Sequence, residues 1–252
     1  MDTSSDKLFY ARLGDIVNRC ERSGAGCFSS FLDERQCAAA ELWCSRNTGE
    51  LMYTLWGGHK DAMRKMLAVY PDYCEDYITD DFPFKCLTFT YRKEDKLTHR
   101  DFLGTFMGMR LKRDTIGDII TGEGMAQVFM TDVAARLISS TVSKIGKTGI
   151  RCFSDRPFEM EVKQEFTVIN GTVASLRLDC IVSLAAKLSR ENAARLIRSE
   201  KVEVNHFPAE SVSAELHKGD ILSVRGCGRF ILSDIGSPTK KDRIHISLKK
   251  FV

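Results

Sequence analysis

The chain has 252 residues, of which 43% are hydrophobic and 28% charged, an ordinary globular composition with room for one to three domains. No apolar run approaches the roughly 18 residues of a bilayer span. The polar start Met1-Asp2-Thr3-Ser4-Ser5-Asp6 lacks a basic segment leading into an apolar core, so a cytoplasmic protein is expected. The nine cysteines include no C-x-x-C pair and no histidine at finger spacing, which points to reduced thiols with no metal, disulfide or cofactor.

The net charge of +3 hides a gradient. Residues 1–90 carry 10 Lys+Arg against 14 Asp+Glu, and residues 172–252 carry 14 against 9. A basic C-terminal third fits a polyanionic partner.

In chain order, an apolar stripe through Leu8, Leu13, Ile16, Val17 and Cys20 predicts a helix, broken by Ser23-Gly24-Ala25-Gly26. Asp33 precedes a second helix that ends at Asn47 and Gly49. Leu51 to Trp56 reads as a strand stopped by Gly57-Gly58, and Lys60 to Val69 as a third helix closed by Pro71. The glycine pair lacks the Gly-Lys-Ser/Thr ending of a P-loop, so a tight turn is expected.

From Phe84 the pattern changes. Cys86–Tyr91 reads as a strand, Thr98 and Asp101 form a capping-box signal for a helix, and Ile116–Ile120 and Ala126–Met130 read as paired strands. Asp132 opens another helix, and Gly149–Phe153 is a last strand. This β-α-β-β-α-β order is that of a ferredoxin-like split βαβ unit, an architecture that also serves RNA recognition. No aromatic-rich strand is present, so base stacking on the sheet is not expected. His99-Arg100-Asp101 spells a kinase triplet without the Gly-rich loop or Asp-Phe-Gly that kinase chemistry needs. Residues 158–174 alternate and contain Asn170-Gly171, a type I′ hairpin signal.

Leu176 to Lys187 then predicts an amphipathic helix. Ser189 is an N-cap for a second helix, Arg190 to Ser199. Arg195 and Arg198 are neighbours on it, and Arg190 stands in its first turn, where a bound phosphate would offset the helix dipole. Strands follow at 201–204, 221–225, 230–232 and 244–248. The fold class is therefore α+β with three small domains: a helix-rich mixed α/β domain at 1–82, a βαββαβ domain at 83–157, a hairpin connector at 158–174 and a basic domain at 175–252.

Arg177-Leu178-Asp179, Ser189-Arg190, Ile197, Lys201-Val202, Val204-Asn205, Gly219-Asp220, Val224-Arg225 and Gly228-Arg229 resemble the S4 (αL-type) RNA-binding domain. Glu200 and His206 depart from it, each standing where that family has glycine. Upstream, Ser30-Phe31-Leu32-Asp33-Glu34-Arg35, Gly57-Gly58-His59-Lys60-Asp61-Ala62, Leu97-Thr98-His99-Arg100-Asp101-Phe102-Leu103-Gly104 and Lys112-Arg113-Asp114-Thr115-Ile116-Gly117-Asp118-Ile119 resemble the YlmH-type S4 proteins of bacteria and plastids. The resemblance implies a non-catalytic RNA-binding protein of ribosome-associated quality control, with rRNA of the large ribosomal subunit and peptidyl-tRNA as partners. It implies no membrane partner and a monomer when free. The RNA-binding residues it selects are Arg177, Ser189, Arg190, Arg195, Arg198, Lys201, Asn205, Arg225 and Arg229.

Two alternatives stand beside it. Arg177-Leu178-Asp179 matches the catalytic triplet of some pseudouridine synthases, but the chain continues Cys180-Ile181-Val182-Ser183 rather than with a Thr-Ser-Gly-like stretch. An adaptor role for the acidic N-terminal segment is compatible with RNA binding elsewhere.

Overall fold

Leu13, Ile16, Val17 and Cys20 line the buried side of α1 (Ser4–Ser23), as their helical spacing demands. The computed structural model describes residues 4–76, 78–154, 156–162, 166–239 and 243–251. They fall into two units, residues 1–162 and 163–252.

In the first unit α1 leads to β1 (Cys27–Phe28) and α2 (Glu34–Asn47). A reciprocal capping box starts α2: Gln36 N–H donates to Asp33 Oδ1 at 2.8 Å, and Asp33 N–H to Gln36 Oε1 at 3.0 Å. β2 (Met52–Trp56) and β3 (Met66–Tyr70) complete an antiparallel sheet in the order β1-β3-β2. The helix expected over Lys60–Val69 is thus not formed. Met66–Tyr70 is instead the central strand, buried at all five positions. Leu67 and Val69 pack against α1 and α2, and Met66, Ala68 and Tyr70 face the other way. A short apolar run buried on both faces has no period that separates strand from helix.

The βαββαβ order is formed. β4 (Phe84–Thr90), α3 (His99–Gly108), β5 (Ile116–Thr121), β6 (Met125–Thr131) and α4 (Asp132–Thr141) come first. A small hairpin of β7 (Lys144–Ile145) and β8 (Thr148–Gly149) then leads to β9 (Arg151–Phe153). The antiparallel sheet runs β5-β6-β4-β9, so β6 lies between the two strands that α3 connects. This is the split βαβ arrangement. Leu87, Phe89, Val128 and Met130 face Phe102 and Phe106 of α3 and Ala134 and Ile138 of α4.

The opposite sheet face is also covered. Phe84, Cys86 and Phe129 share one core with Phe31, Met66, Ala68 and Tyr70. Residues 1–82 and 83–157, expected as separate domains, therefore join in one unit. The Gly57-Gly58-His59 and Ile116-Gly117-Asp118 motifs build the join. Asp118 accepts the N–H groups of Met63 at 2.8 Å and Arg64 at 3.0 Å, and its Oδ2 lies 3.2 Å from His59 Nε2. The His59 ring stacks on Phe158 at 4.9 Å. Gly58 has φ +93°, and a Cβ there would stand 2.1 Å from the Phe129 ring. Replacing Gly58 with alanine should destabilise the protein by about 3 kcal/mol or more through strain and overlap. An unchanged chemical-denaturation midpoint would count against this account of the join.

The second unit is a six-stranded antiparallel sheet with two helices. Its elements are β10 (Phe166–Val173), α5 (Leu178–Ala186), α6 (Arg190–Arg198), β11 (Val202–Val204), β12 (Phe207–Pro208), β13 (Ile221–Val224), β14 (Gly228–Pro238) and β15 (Ile244–Phe251). The order is β10-β15-β14-β13-β11-β12. No hairpin forms at Asn170-Gly171: both residues lie inside β10, opposite Ser247 and Ile246 of β15. Gly171 is needed for packing rather than turning, because a Cβ there would meet Leu184 of α5 at 2.6 Å. Residues 163–165 of the expected hairpin lie outside the described residues.

Among the described residues no helix is long and apolar enough to cross a membrane, and no group of His, Cys, Asp and Glu could hold a metal ion. The nine cysteines are free. Burial pushes the Cys86 thiol up to about 12 and the Cys20, Cys37, Cys44 and Cys152 thiols up to about 11, which keeps them protonated and unreactive.

Candidate nucleic-acid interface

Ile181, Val182 and Ala185 of α5 and Ala193 and Ile197 of α6 enter one core with Val202, Leu222, Phe230 and Leu248 of the sheet. That leaves the polar side of α6 outward, while α5 is apolar almost throughout. Between them, Ser183 closes the turn by donating to Leu188 O at 2.6 Å, with Lys187 at φ 54° as the left-handed C-cap. Leu188 N–H returns to Ser183 O at 3.0 Å. This Schellman closure fixes the direction in which α6 departs.

Asp179 organises the surface. It is only 4% exposed and sits in the first turn of α5. Arg190 Nε donates to Asp179 Oδ2 at 2.7 Å, while Arg177 reaches Oδ1 through Nε at 3.2 Å and Oδ2 through Nη2 at 3.4 Å. Cys180 N–H adds a bond to Oδ1 at 3.0 Å. Burial pushes the Asp179 carboxyl up, but the hydrogen bonds and charges of Arg190 and Arg177 outweigh it, and the net direction is down. Two guanidiniums, one from each helix start, are thereby fixed side by side with donors to spare.

The arrangement gives Arg190 and Asp179 structural roles. Arg190 in the first turn of α6 is compensated by the Asp179 carboxylate, so no anion is required to explain its place. Asp179 itself is buried and accepts from two arginines and a backbone N–H.

The other selected residues separate into groups. Ser189 caps α6, accepting from Asn192 N–H at 3.2 Å. Arg195 and Arg198 are exposed on α6, and among the described residues neither has a carboxylate within ion-pair distance; Arg195 Nη2 donates to Asn192 Oδ1 at 3.2 Å. Lys201 and Arg225 are brought together at the end of the sheet, where Arg225 N–H donates to Lys201 O at 2.9 Å. Asn205 is exposed, and two hydrogen bonds hold its side chain in place. Its Oδ1 accepts from Ile221 N–H and its Nδ2 donates to Asp220 Oδ1, each at 2.9 Å. Arg229 is not brought to the helix pair. It alternates with core Phe230 along β14, so it points from the opposite sheet face, 4.6 Å above the Phe251 ring.

Two cations escaped the sequence reading. Lys187 and Arg243 line, with Arg190, a hollow of about 430 Å³ beside α5. Lys187 is marked only by its place at the helix junction. Arg243 lies 53 residues along the chain from Arg190, and only the pairing of β15 with β10 brings it near, where it donates to Thr172.

Glu200 and His206 adopt φ 55° and 71°, a region that favours glycine. Glu200 N–H bonds to Ile197 O at 3.0 Å and Lys201 N–H to Leu196 O at 3.1 Å, a Schellman ending with Glu200 at its left-handed position. Glu200→Gly should stabilise the protein by about 0.5 kcal/mol, the strain relieved exceeding the entropy added to the unfolded chain. The denaturation midpoint reads it directly; a lower midpoint would contradict the assignment.

A split βαβ domain, and a helix pair with arginines on a sheet, are both architectures that RNA-binding proteins use. Residues 78–159 match the family model described as "Putative RNA-binding domain in YlmH". The chain is 29% identical over 228 residues to the "Ribosome-associated protein quality control protein P2" of Bacillus subtilis (strain 168), covering 88% of this chain and 86% of that protein. Its fold resembles the solved structure of "Cell division protein ylmH from Streptococcus pneumoniae", with a TM-score of 0.51 at 23% identity over 62% of this chain and 93% of that one. In all three comparisons the chain is similar to YlmH-type proteins. None of these descriptions names an enzyme.

Proposed function

We propose that the protein binds structured ribosomal RNA without catalysis, acting on the large ribosomal subunit in ribosome-associated quality control with peptidyl-tRNA as a second contact. The observation that carries this reading is the Asp179 clamp, which presets Arg177 and Arg190 beside the exposed Arg195 and Arg198. Preset guanidinium forks suit phosphate oxygens. A rigid helix pair recognises the shape of folded RNA better than it reads single bases. The second unit acts as an S4-type module, and the relative named for ribosome-associated quality control supports the setting.

Sedimentation with purified large and small ribosomal subunits tests this reading. The protein should travel with the large subunit, and the association should weaken steeply as salt rises. Equal partition between the subunits, or no association at low salt, would refute it.

A further inference from the structure

We infer that the cleft between α1 and α4 in the first unit is a second RNA surface, one that takes the backbone of an unpaired strand. This does not depend on the α5–α6 reading. The cleft has a volume of about 980 Å³. Arg12, Arg19 and Arg22 stand on its α1 side and Arg136 on its α4 side, all four exposed. Among the described residues no carboxylate lies within ion-pair distance of any of them.

The pattern is costly without a ligand. Arg19 and Arg22 are three apart on one helix face, where like charges repel by a few tenths of a kcal/mol. Asp15, Asp114 and Asp132 also line the cleft without closing an ion pair to these arginines. Asp132 lies in the first turn of α4, where it complements the helix dipole. The three α1 arginines extend over ten residues, about 15 Å of helix, which suits a chain of phosphates rather than a single anion.

The covered sheet favours RNA here. In a split βαβ module the open sheet face is where bases would stack. In this protein Phe31, Met66, Ala68 and Tyr70 fill part of that face. Residues 157–160 close another part, through bonds of Gln127 to Pro157, Glu159 and Met160. An RNA contact of the matched domain would then use another wall, and α4 places Arg136 on a cleft, opposite the arginines of α1. Arginine forks meet phosphate oxygens bidentately, and Asn18 and Ser30 at the rim add neutral donors.

The test uses the full chain carrying Arg195→Glu and Arg198→Glu, which weakens the helix-pair contribution and leaves it equal in every variant compared, and follows the anisotropy of a labelled oligouridine. Adding Arg12→Glu, Arg19→Glu and Arg22→Glu should weaken binding about tenfold or more and lower the salt slope by about two to three. Arg136→Glu alone, from the opposite wall, should weaken it several-fold. Circular dichroism melts should not move, because all four side chains are exposed. Unchanged oligouridine affinity in the α1 variant overturns the inference, as does a parent protein that does not bind the probe. Binding of a polyglutamate peptide that the variant loses, with RNA binding intact, would assign the cleft to an acidic protein segment instead. Failure of the α5–α6 reading would show separately, in subunit sedimentation.

Discussion

Arg195→Glu combined with Arg198→Glu should reduce affinity for the large ribosomal subunit about a hundredfold at physiological salt while leaving the fold intact. Both side chains are exposed on α6, and neither has a carboxylate within ion-pair distance among the described residues. Each reversal removes a phosphate contact and adds a repulsion, and each contact is worth about 1 kcal/mol through counterion release and hydrogen bonding. The slope of log K against log salt should fall by about two. Arg190→Glu is a poorer probe of the same surface. It would place a second carboxylate against buried Asp179, so lost binding could report lost packing. If the Arg195/Arg198 pair sediments with subunits as the parent does, α6 does not face RNA.

The second large effect is on Asp179. Asp179→Ala should cost about 2–3 kcal/mol of stability, since it breaks charge-assisted bonds to two arginines and frees a buried backbone donor. The figure stays below that of a fully buried pair because the Arg177 and Arg190 side chains are 43% and 55% exposed and can rehydrate. Affinity for the ribosomal subunit should fall about tenfold, although the variant carries one more net positive charge. A purely electrostatic surface would bind more tightly, so the sign of the change separates a preset surface from a merely basic one.

The pH dependence follows from the same contacts. The folded Asp179 carboxyl lies below its unfolded value, so its stabilisation is present above the ordinary carboxylate pKa of about 3.9 and fades as pH falls below it. The stability gap between the parent and Asp179→Asn should be constant above about pH 5 and shrink toward pH 3. A gap that widens on acidification would mean the clamp is not ionic.

Some of this was legible in the residues. Asp33, Thr98 and Ser189 mark real helix starts, because a cap depends on a few adjacent atoms. The βαββαβ order could be read because its helices show a 3.6 period and its turns carry glycine. Met66–Tyr70 could not, because a strand buried on both faces shows no alternation. Gly171 misled for a related reason: a glycine required by the approach of Leu184 looks, in one dimension, like a turn. At the site, Arg195 and Arg198 could be read as neighbours on one helix, but the pairing of Arg177 with Arg190 could not. Asp179 stood out only as part of Arg177-Leu178-Asp179; its role appears when α5 and α6 fold together and two guanidiniums converge on it. Asn205 was selected by resemblance, and its side chain also braces the Asp220–Ile221 turn, which no sequence pattern showed.

Ultraviolet crosslinking in cells, followed by sequencing of the attached RNA and mass mapping of the modified peptides, tests the central claim most directly. The predicted result is large-subunit ribosomal RNA attached to peptides spanning residues 188–201. RNA drawn evenly from cellular transcripts, or adducts confined to residues outside 163–252, would contradict it.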